Sequence, residues 1–234
     1  QNNKLHRLCQ QLELCPQDHL LEIGSGWGGL AIFAVRHYGC RVTTTTISDA
    51  QYEYAKQAII DAGLEDKIEL LNHDYRQLEG SYDKIVSVEM IEAVGEKYLP
   101  VFFKKANKLL KPGGKLILQA ITIADQRLHC YANGEDFIQK HIFPGGFLPS
   151  ISLMGQLISQ HTNLVIRDLH DIGIDYARTL AHWRQQLIEN HNQLSQKGFD
   201  ERFMRLWLFY LGYCEGGFLE RRISTVQLLA TKDS

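Results

Sequence analysis

Short apolar runs alternate with stretches of helical spacing along most of this chain. Leu5, Leu8 and Leu12 predict a helix over 3–13, and Leu20, Leu21 and Ile23 predict a strand over 19–23. A helix over 27–38 and a strand over 40–46 follow. The next helix starts at Asp49, read as its N-cap, and runs to Ala62, with Gly63 as its stop. Strands are expected over 67–71 and 82–88, the second a near-continuous apolar run. Such runs with helices between them imply a parallel sheet covered on both faces. A helix over 96–110 ends at Lys111-Pro-Gly-Gly114, a helix stop and turn before a strand over 115–122.

The alternation then breaks. Residues 123–151 are polar, aromatic and rich in Gly and Pro, too long for an ordinary loop, and read as a structured lid. Beyond them come a helix (152–160), a strand (163–171), two long helices (about 176–195 and 199–215) and a last strand (224–230). The expectation is one α/β domain over 1–234, Rossmann-like. Its doubly wound, mostly parallel seven-stranded sheet carries an inserted cap, and ligands lie at the carboxyl ends of the strands.

Composition narrows the classes. With 234 residues, 44% of them hydrophobic, the chain suffices for one full core but not for a second domain. A formal charge of −2 lacks the basic bias of nucleic-acid binders, so no nucleic-acid partner is expected. Five scattered cysteines, with no C-x-x-C pair, read as reduced, mostly buried thiols of a cytoplasmic protein and argue against a metal site. No stretch approaches the roughly 18 apolar residues of a membrane span, which leaves docking on a membrane surface open. The chain opens at Gln1 and enters a helix almost at once, so a missing upstream part is expected.

The densest chemical signal is Gly24, Gly26, Gly28 and Gly29, on the turn between the first strand and its helix. Glycine costs about 1 kcal/mol against alanine wherever a helix continues, so this cluster points to a backbone that a nucleotide-like cofactor approaches closely. Gly24-x-Gly26-x-x-Gly29 fits NAD and S-adenosylmethionine alike. Two neighbours favour the second. The strand over 40–46 has no acid at its end until Asp49, where an NAD site expects one, and Glu22 precedes the first glycine, where methyltransferases keep an acid facing the methionine end.

Several segments together resemble the cyclopropane fatty acid synthase family, which includes the mycolic acid cyclopropane synthases. They are Leu21-Glu-Ile-Gly-Ser-Gly-Trp-Gly-Gly29, Thr46-Ile-Ser-Asp-Ala-Gln51, Asp74-Tyr-Arg76, Val88-Glu-Met-Ile-Glu-Ala-Val-Gly95, Ile142-Phe-Pro-Gly-Gly146, Leu148-Pro-Ser150 and Tyr176-Ala-Arg-Thr-Leu180. The resemblance implies a class I methyltransferase fold. It also implies methyl transfer from S-adenosylmethionine to a cis double bond in an unsaturated phospholipid acyl chain at the inner membrane surface. Proton loss from the new methyl group then closes a cyclopropane. It lends Gly24 and Gly26 to the methionine moiety, Thr46 and Gln51 to the ribose, and Tyr75 with Arg76 to the adenine. An alkene is a weak nucleophile, so the cation formed needs a dry aromatic pocket, for which Phe143, Phe147, Tyr176 and Phe218 are candidates.

In the family, proton removal is assigned to a bicarbonate ion, whose ligands map onto Glu92, the backbone at Ile121 and Tyr176. This chain has Gln119 where other synthases have histidine, which places it in a glutamine-bearing branch. Glutamine hydrogen bonds but carries no proton. That departure leaves a methylene- or methyl-branched product open, and the scaffold also serves small-molecule N-methyltransferases. Residues 176–220 bring aromatics (Trp183, Trp207, Phe209, Tyr210, Tyr213) and arginines together and are expected, with 123–151, to form the lid and acyl site. Trp27 is expected to pack its helix against the sheet.

Overall fold

The computed structural model describes residues 1–233. In chain order its elements are α1 (Asn2–Gln11), β1 (His19–Ile23), α2 (Gly29–Tyr38), β2 (Arg41–Thr46), α3 (Asp49–Asp61), β3 (Ile68–Asn72), β4 (Tyr82–Val88), α4 (Leu99–Leu109) and β5 (Leu110–Ile123). They continue with α5 (Asp125–Ala132), α6 (Phe137–His141), α7 (Ile151–His161), β6 (Leu164–Asp171), α8 (Gly173–Glu189), α9 (His191–Gln196), α10 (Glu201–Leu219) and β7 (Ile223–Lys232). The seven strands form one sheet in the order β3-β2-β1-β4-β5-β7-β6. β3 through β5 in that order are parallel, and β7 runs antiparallel to both β5 and β6. The expected doubly wound α/β architecture is therefore present.

Alternation along the strands sorts the core into two faces. Leu21, Ile85, Leu116 and Leu118 bury against Phe102, Phe103 and Met154 of α4 and α7, whereas Leu20, Val42, Val86 and Ile117 bury against α1 and α2. A third cluster joins α8 to α10 through Ala177, Leu180, Leu211 and Phe218 and packs on Ile121 and Ile223. The chain winds outward from β1 to β3 and then returns to β4 beside β1. That reversal opens the ligand crevice of such sheets at the carboxyl ends of β1 and β4.

Several local expectations change. The N-cap of α3 is Ser48, whose hydroxyl accepts from the Gln51 amide, because the chain is still extended there. β5 starts at Leu110, which already pairs with Tyr82 of β4, and Lys111-Pro-Gly-Gly114 forms an irregularity before pairing resumes at Lys84 and Lys115. The helix expected over 176–195 starts at Gly173, ends at Glu189 and gives way to the short α9. Trp27 is exposed and meets Tyr54 edge-on, so it does not wedge its helix against the sheet. The 123–151 segment folds into α5 and α6. A capping box at Asp136 and Gln139 starts α6, and Leu148 donates its amide to the Tyr131 hydroxyl at 3.0 Å. Phe137 of α6 packs edge-on against Phe209 of α10, which ties this segment to the C-terminal helices.

Candidate active site

One wall of the crevice is made of backbone. After β1 the chain passes through Gly24 (φ 98°), Gly26 (φ 50°) and Gly28 (φ 85°), three left-handed positions that side chains disfavour. A Cβ built at Gly24 would sit 3.2 Å from Met90, while none would meet anything within 4 Å at Gly26. The Gly24 and Ser25 amides both donate to the Thr45 carbonyl, which fixes the turn to β2. Under the turn Glu22 is buried. Thr44 donates to it at 2.6 Å, and burial pushes its carboxyl up to about 8. At the end of β2, Thr46 donates to the Gln51 side chain at 2.9 Å. Tyr75 stands edge-on to Phe102, and Arg76 closes a double hydrogen bond onto Asp74. Open backbone, a buried acid and a hydroxyl-amide pair at successive strand ends fit a nucleoside joined to an amino acid, the chemistry of S-adenosylmethionine.

The opposite wall is made of interlocked side chains. Glu89, directly after β4, takes a left-handed backbone (φ 51°), and its amide donates to the Gln119 carbonyl at 2.8 Å. Its carboxylate accepts from the Gln119 side-chain amide at 2.6 Å and from the Tyr176 hydroxyl at 2.7 Å. Behind it, Gln227 donates to Gln119 at 3.0 Å, and Arg7 of α1 donates to Gln227 at 2.9 Å while also reaching Asp168. Gln119 and Gln227 are fully buried, which makes each of these bonds costly to lose.

Glu92 lies one turn further on. Its Oε1 accepts from the Ile121 amide, and its Oε2 is buried with no partner among the described residues. Burial pushes this carboxyl up to about 7, opposed by the Ile121 N–H and reinforced by the charge of Glu89. Burial, with Glu89 beside it, also holds the Tyr176 hydroxyl well above the usual tyrosine range. Phe218 stacks on the Tyr176 ring with centroids 4.9 Å apart.

Glu92, Gln119, Ile121 and Tyr176 therefore meet as expected, but around Glu89, which sequence reasoning passed over. Its signal was a charge placed immediately after the apolar run of β4, at the switch point of the sheet. The bicarbonate expectation does not fit this arrangement. Glu89 holds the Tyr176 hydroxyl and the Gln119 amide, and Glu92 holds the Ile121 N–H, so a bound anion would face two carboxylates with these donors already engaged.

Phe143 also departs from expectation. It is 54% exposed and touches Tyr210 edge-on, so it does not line a closed aromatic pocket, and Phe147 is buried in the core against Tyr131. Phe218 is the aromatic that reaches Tyr176. Between α8, α9 and α10 runs a mostly apolar cleft of about 530 Å³, lined by Trp183, Leu187, Leu194, Phe203, Trp207 and Leu211. Trp183 meets Tyr176 edge-on, which joins this cleft to the carboxylate cluster.

The family model described as mycolic acid cyclopropane synthetase matches residues 1–228. Over 218 residues the chain is 40% identical to the tuberculostearic acid methyltransferase UfaA1 of Mycobacterium tuberculosis, covering 93% of this chain and 51% of that protein. It is 35% identical over 232 residues to the cyclopropane-fatty-acyl-phospholipid synthase of Escherichia coli (strain K12), covering 99% and 58%. A crystal structure of a mycolic acid cyclopropane synthase complexed with SAH and CTAB superposes with a TM-score of 0.90 at 27% identity, covering 98% of this chain and 83% of that one. The chain spans a little over half the length of the curated relatives it matches, 51% and 58% for these two.

Proposed function

The chain belongs to the mycolic acid cyclopropane synthetase family, and from that premise we propose that it transfers a methyl(ene) group from S-adenosylmethionine to the cis double bond of an unsaturated phospholipid acyl chain, forming a cyclopropane. The observation that carries this reading is the juxtaposition of a glycine cradle with a half-buried carboxylate–tyrosine cluster at the carboxyl ends of β1 and β4.

When bound, S-adenosylmethionine supplies an electrophilic methyl group. Gly24 and Gly26 would take its methionine end with Glu22 beneath them, Thr46 and Gln51 its ribose, and Tyr75 with Arg76 its adenine. The Phe218–Tyr176 stack offers ring faces to a developing carbocation, and the carboxylates stabilise positive charge in a site of low polarity. Glu92, poised near neutrality, can hold or release a proton there. The apolar cleft between α8 and α10 suits an acyl chain. No helix of the described residues is long and apolar enough to cross a membrane. A phospholipid substrate would be met at a membrane surface, and on this reading the chain works at the inner, cytoplasmic face.

The test is incubation of the natural-length protein with unsaturated phospholipid vesicles and methyl-labelled S-adenosylmethionine, followed by mass spectrometry of the acyl chains before and after hydrogenation. A gain of label with no reducible double bond supports the cyclopropane. A second reading, a methylene- or methyl-branched chain, is favoured by Gln119 and by the similarity to a tuberculostearic acid methyltransferase. It predicts label either in a methylene-branched product that still takes up hydrogen, or in a saturated methyl-branched product two mass units heavier than the cyclopropane. Label in a small amine and none in lipid would remove both.

A further inference from the structure

We propose that Glu89 is the proton acceptor of this reaction, a carboxylate built into the chain where relatives would use a dissociable ion, and that Arg7 fixes its accepting state through Gln227 and Gln119. The inference rests on the methyl-transfer reading above and supplies its missing base.

The argument begins with hydrogen-bond polarity. A glutamine side chain can turn either its oxygen or its nitrogen to a neighbour, so a row of glutamines has no inherent direction. An arginine has only donors. Because Arg7 donates to the oxygen of Gln227, Gln227 must offer its nitrogen to the oxygen of Gln119, and Gln119 must offer its nitrogen to Glu89. Tyr176 donates to the other carboxylate oxygen. Glu89 thus faces a donor at each oxygen, so both of its oxygens are held as acceptors. Its neighbour Glu92 receives one amide, and burial pushes it toward the protonated state.

The placement is also one the fold does not otherwise favour. Glu89 holds a left-handed backbone that side-chain-bearing residues disfavour, and the bonds to Gln119 and Tyr176 keep it there. Besides Glu92, the titratable groups facing it are Tyr176 from α8 and Tyr210 from α10. In the step itself, a C–H bond of the transferred methyl breaks and its electron pair closes onto the cationic carbon. The proton passes to an oxygen of Glu89 and from there to solvent once product leaves.

The test compares the natural-length protein with Glu89→Gly, Glu89→Gln and Arg7→Met. Glycine suits φ 51°, so Glu89→Gly is expected to fold. ¹³C-bicarbonate, titrated and followed by NMR, should bind Glu89→Gly and not the unaltered protein. Turnover of the unaltered protein should be indifferent to stripping bicarbonate from the buffer. Glu89→Gln should lose about 10²- to 10⁴-fold in turnover, the usual range for a general base. Glu89→Gly should lose a comparable amount and recover part of it when bicarbonate or formate is added.

Equal bicarbonate binding by both proteins, bicarbonate-dependent turnover of the unaltered protein, or Glu89→Gln within about threefold would each overturn the proposal. Arg7→Met should move the rise of turnover to higher pH, with Arg7→Lys restoring it. A uniform loss at every pH would remove Arg7 from the device. If the unaltered protein labels no lipid in any buffer, the methyl-transfer reading falls, while the bicarbonate titration still decides whether Glu89 fills the ion's place.

Discussion

The two walls of the crevice are built on opposite plans. On the β1–β2 side the proposed ligand would meet mostly backbone. Three left-handed glycines clear the approach, and Glu22 lies buried beneath the turn. On the β4–β5 side the surface is long side chains whose positions depend on one another, from Arg7 through Gln227 and Gln119 to Glu89 and Tyr176. The first plan tolerates a ligand that comes and goes. The second holds charge still in a place where reorganising it during a reaction would be costly.

If the walls are separate units, an injury to one should spare the other. Phe218→Ala should have the largest effect, because it removes a fully buried ring that joins α8 to α10 and carries the Tyr176 stack. A loss of about 3 to 5 kcal/mol is expected by denaturant unfolding. S-adenosylmethionine affinity, measured calorimetrically below the transition, should stay within a factor of about three. A parallel collapse of affinity would mean that the crevice is one unit.

The reciprocal injury is Gly24→Val. The left-handed φ and the Cβ position 3.2 Å from Met90 leave no room for a branched side chain, so S-adenosylmethionine affinity should fall by about 100-fold, near 3 kcal/mol. The Tyr176–Glu89 bond should survive, as judged by an unchanged Tyr176 hydroxyl-proton resonance in NMR. Loss of that bond would break the comparison from the other side.

These two injuries also separate what was legible in the sequence from what was not. The glycine wall is local, since a strand, a turn and a helix start lie within eleven residues and each glycine speaks for its own φ. The sheet was legible for the same reason, through apolar runs of strand length. The carboxylate wall is assembled across the chain. Glu89 finds Gln119 at a separation of 30 residues and Tyr176 at 87, and Arg7 finds Gln227 at 220. No spacing rule reaches that far. Glu92, Gln119, Ile121 and Tyr176 were named through resemblance, but resemblance supplied an ion where this chain has its own carboxylate. Phe143 failed for a related reason, because an aromatic residue in a motif says nothing of how much water surrounds it.

Glu22 and pH sharpen the picture of the first wall. Burial raises its carboxyl from 4.5 to about 8, so the folded state holds this proton more tightly than the unfolded state. The contribution is complete below about pH 4.5 and is lost as pH rises toward 8. Glu22→Gln, which keeps a partner for Thr44, should therefore flatten the alkaline decline and stabilise the protein by on the order of 2 kcal/mol at pH 9. Melting curves across pH 5 to 9 read this directly. A parallel decline in both proteins would show that water reaches Glu22 and that the wall is more open than its burial implies.

The smallest effect should come from Ser48→Ala. Ser48 caps α3 through the Gln51 amide, but at 3.4 Å the bond is long, so the cost belongs at the low end for such caps, about 0.5 kcal/mol. Its interest lies in what the same residue touches next. The Ser48 amide donates to the Thr46 hydroxyl, and that hydroxyl donates to the Gln51 side chain, so the cap and the Thr46–Gln51 pair proposed for the ribose form one small circuit. Removing the cap should loosen Gln51 and weaken S-adenosylmethionine binding two- to fivefold while leaving the apparent affinity for phospholipid unchanged. An affinity for S-adenosylmethionine that does not move would mean that Thr46 and Gln51 are held by β2 and α3 alone, and that the backbone wall needs no side-chain circuit of its own.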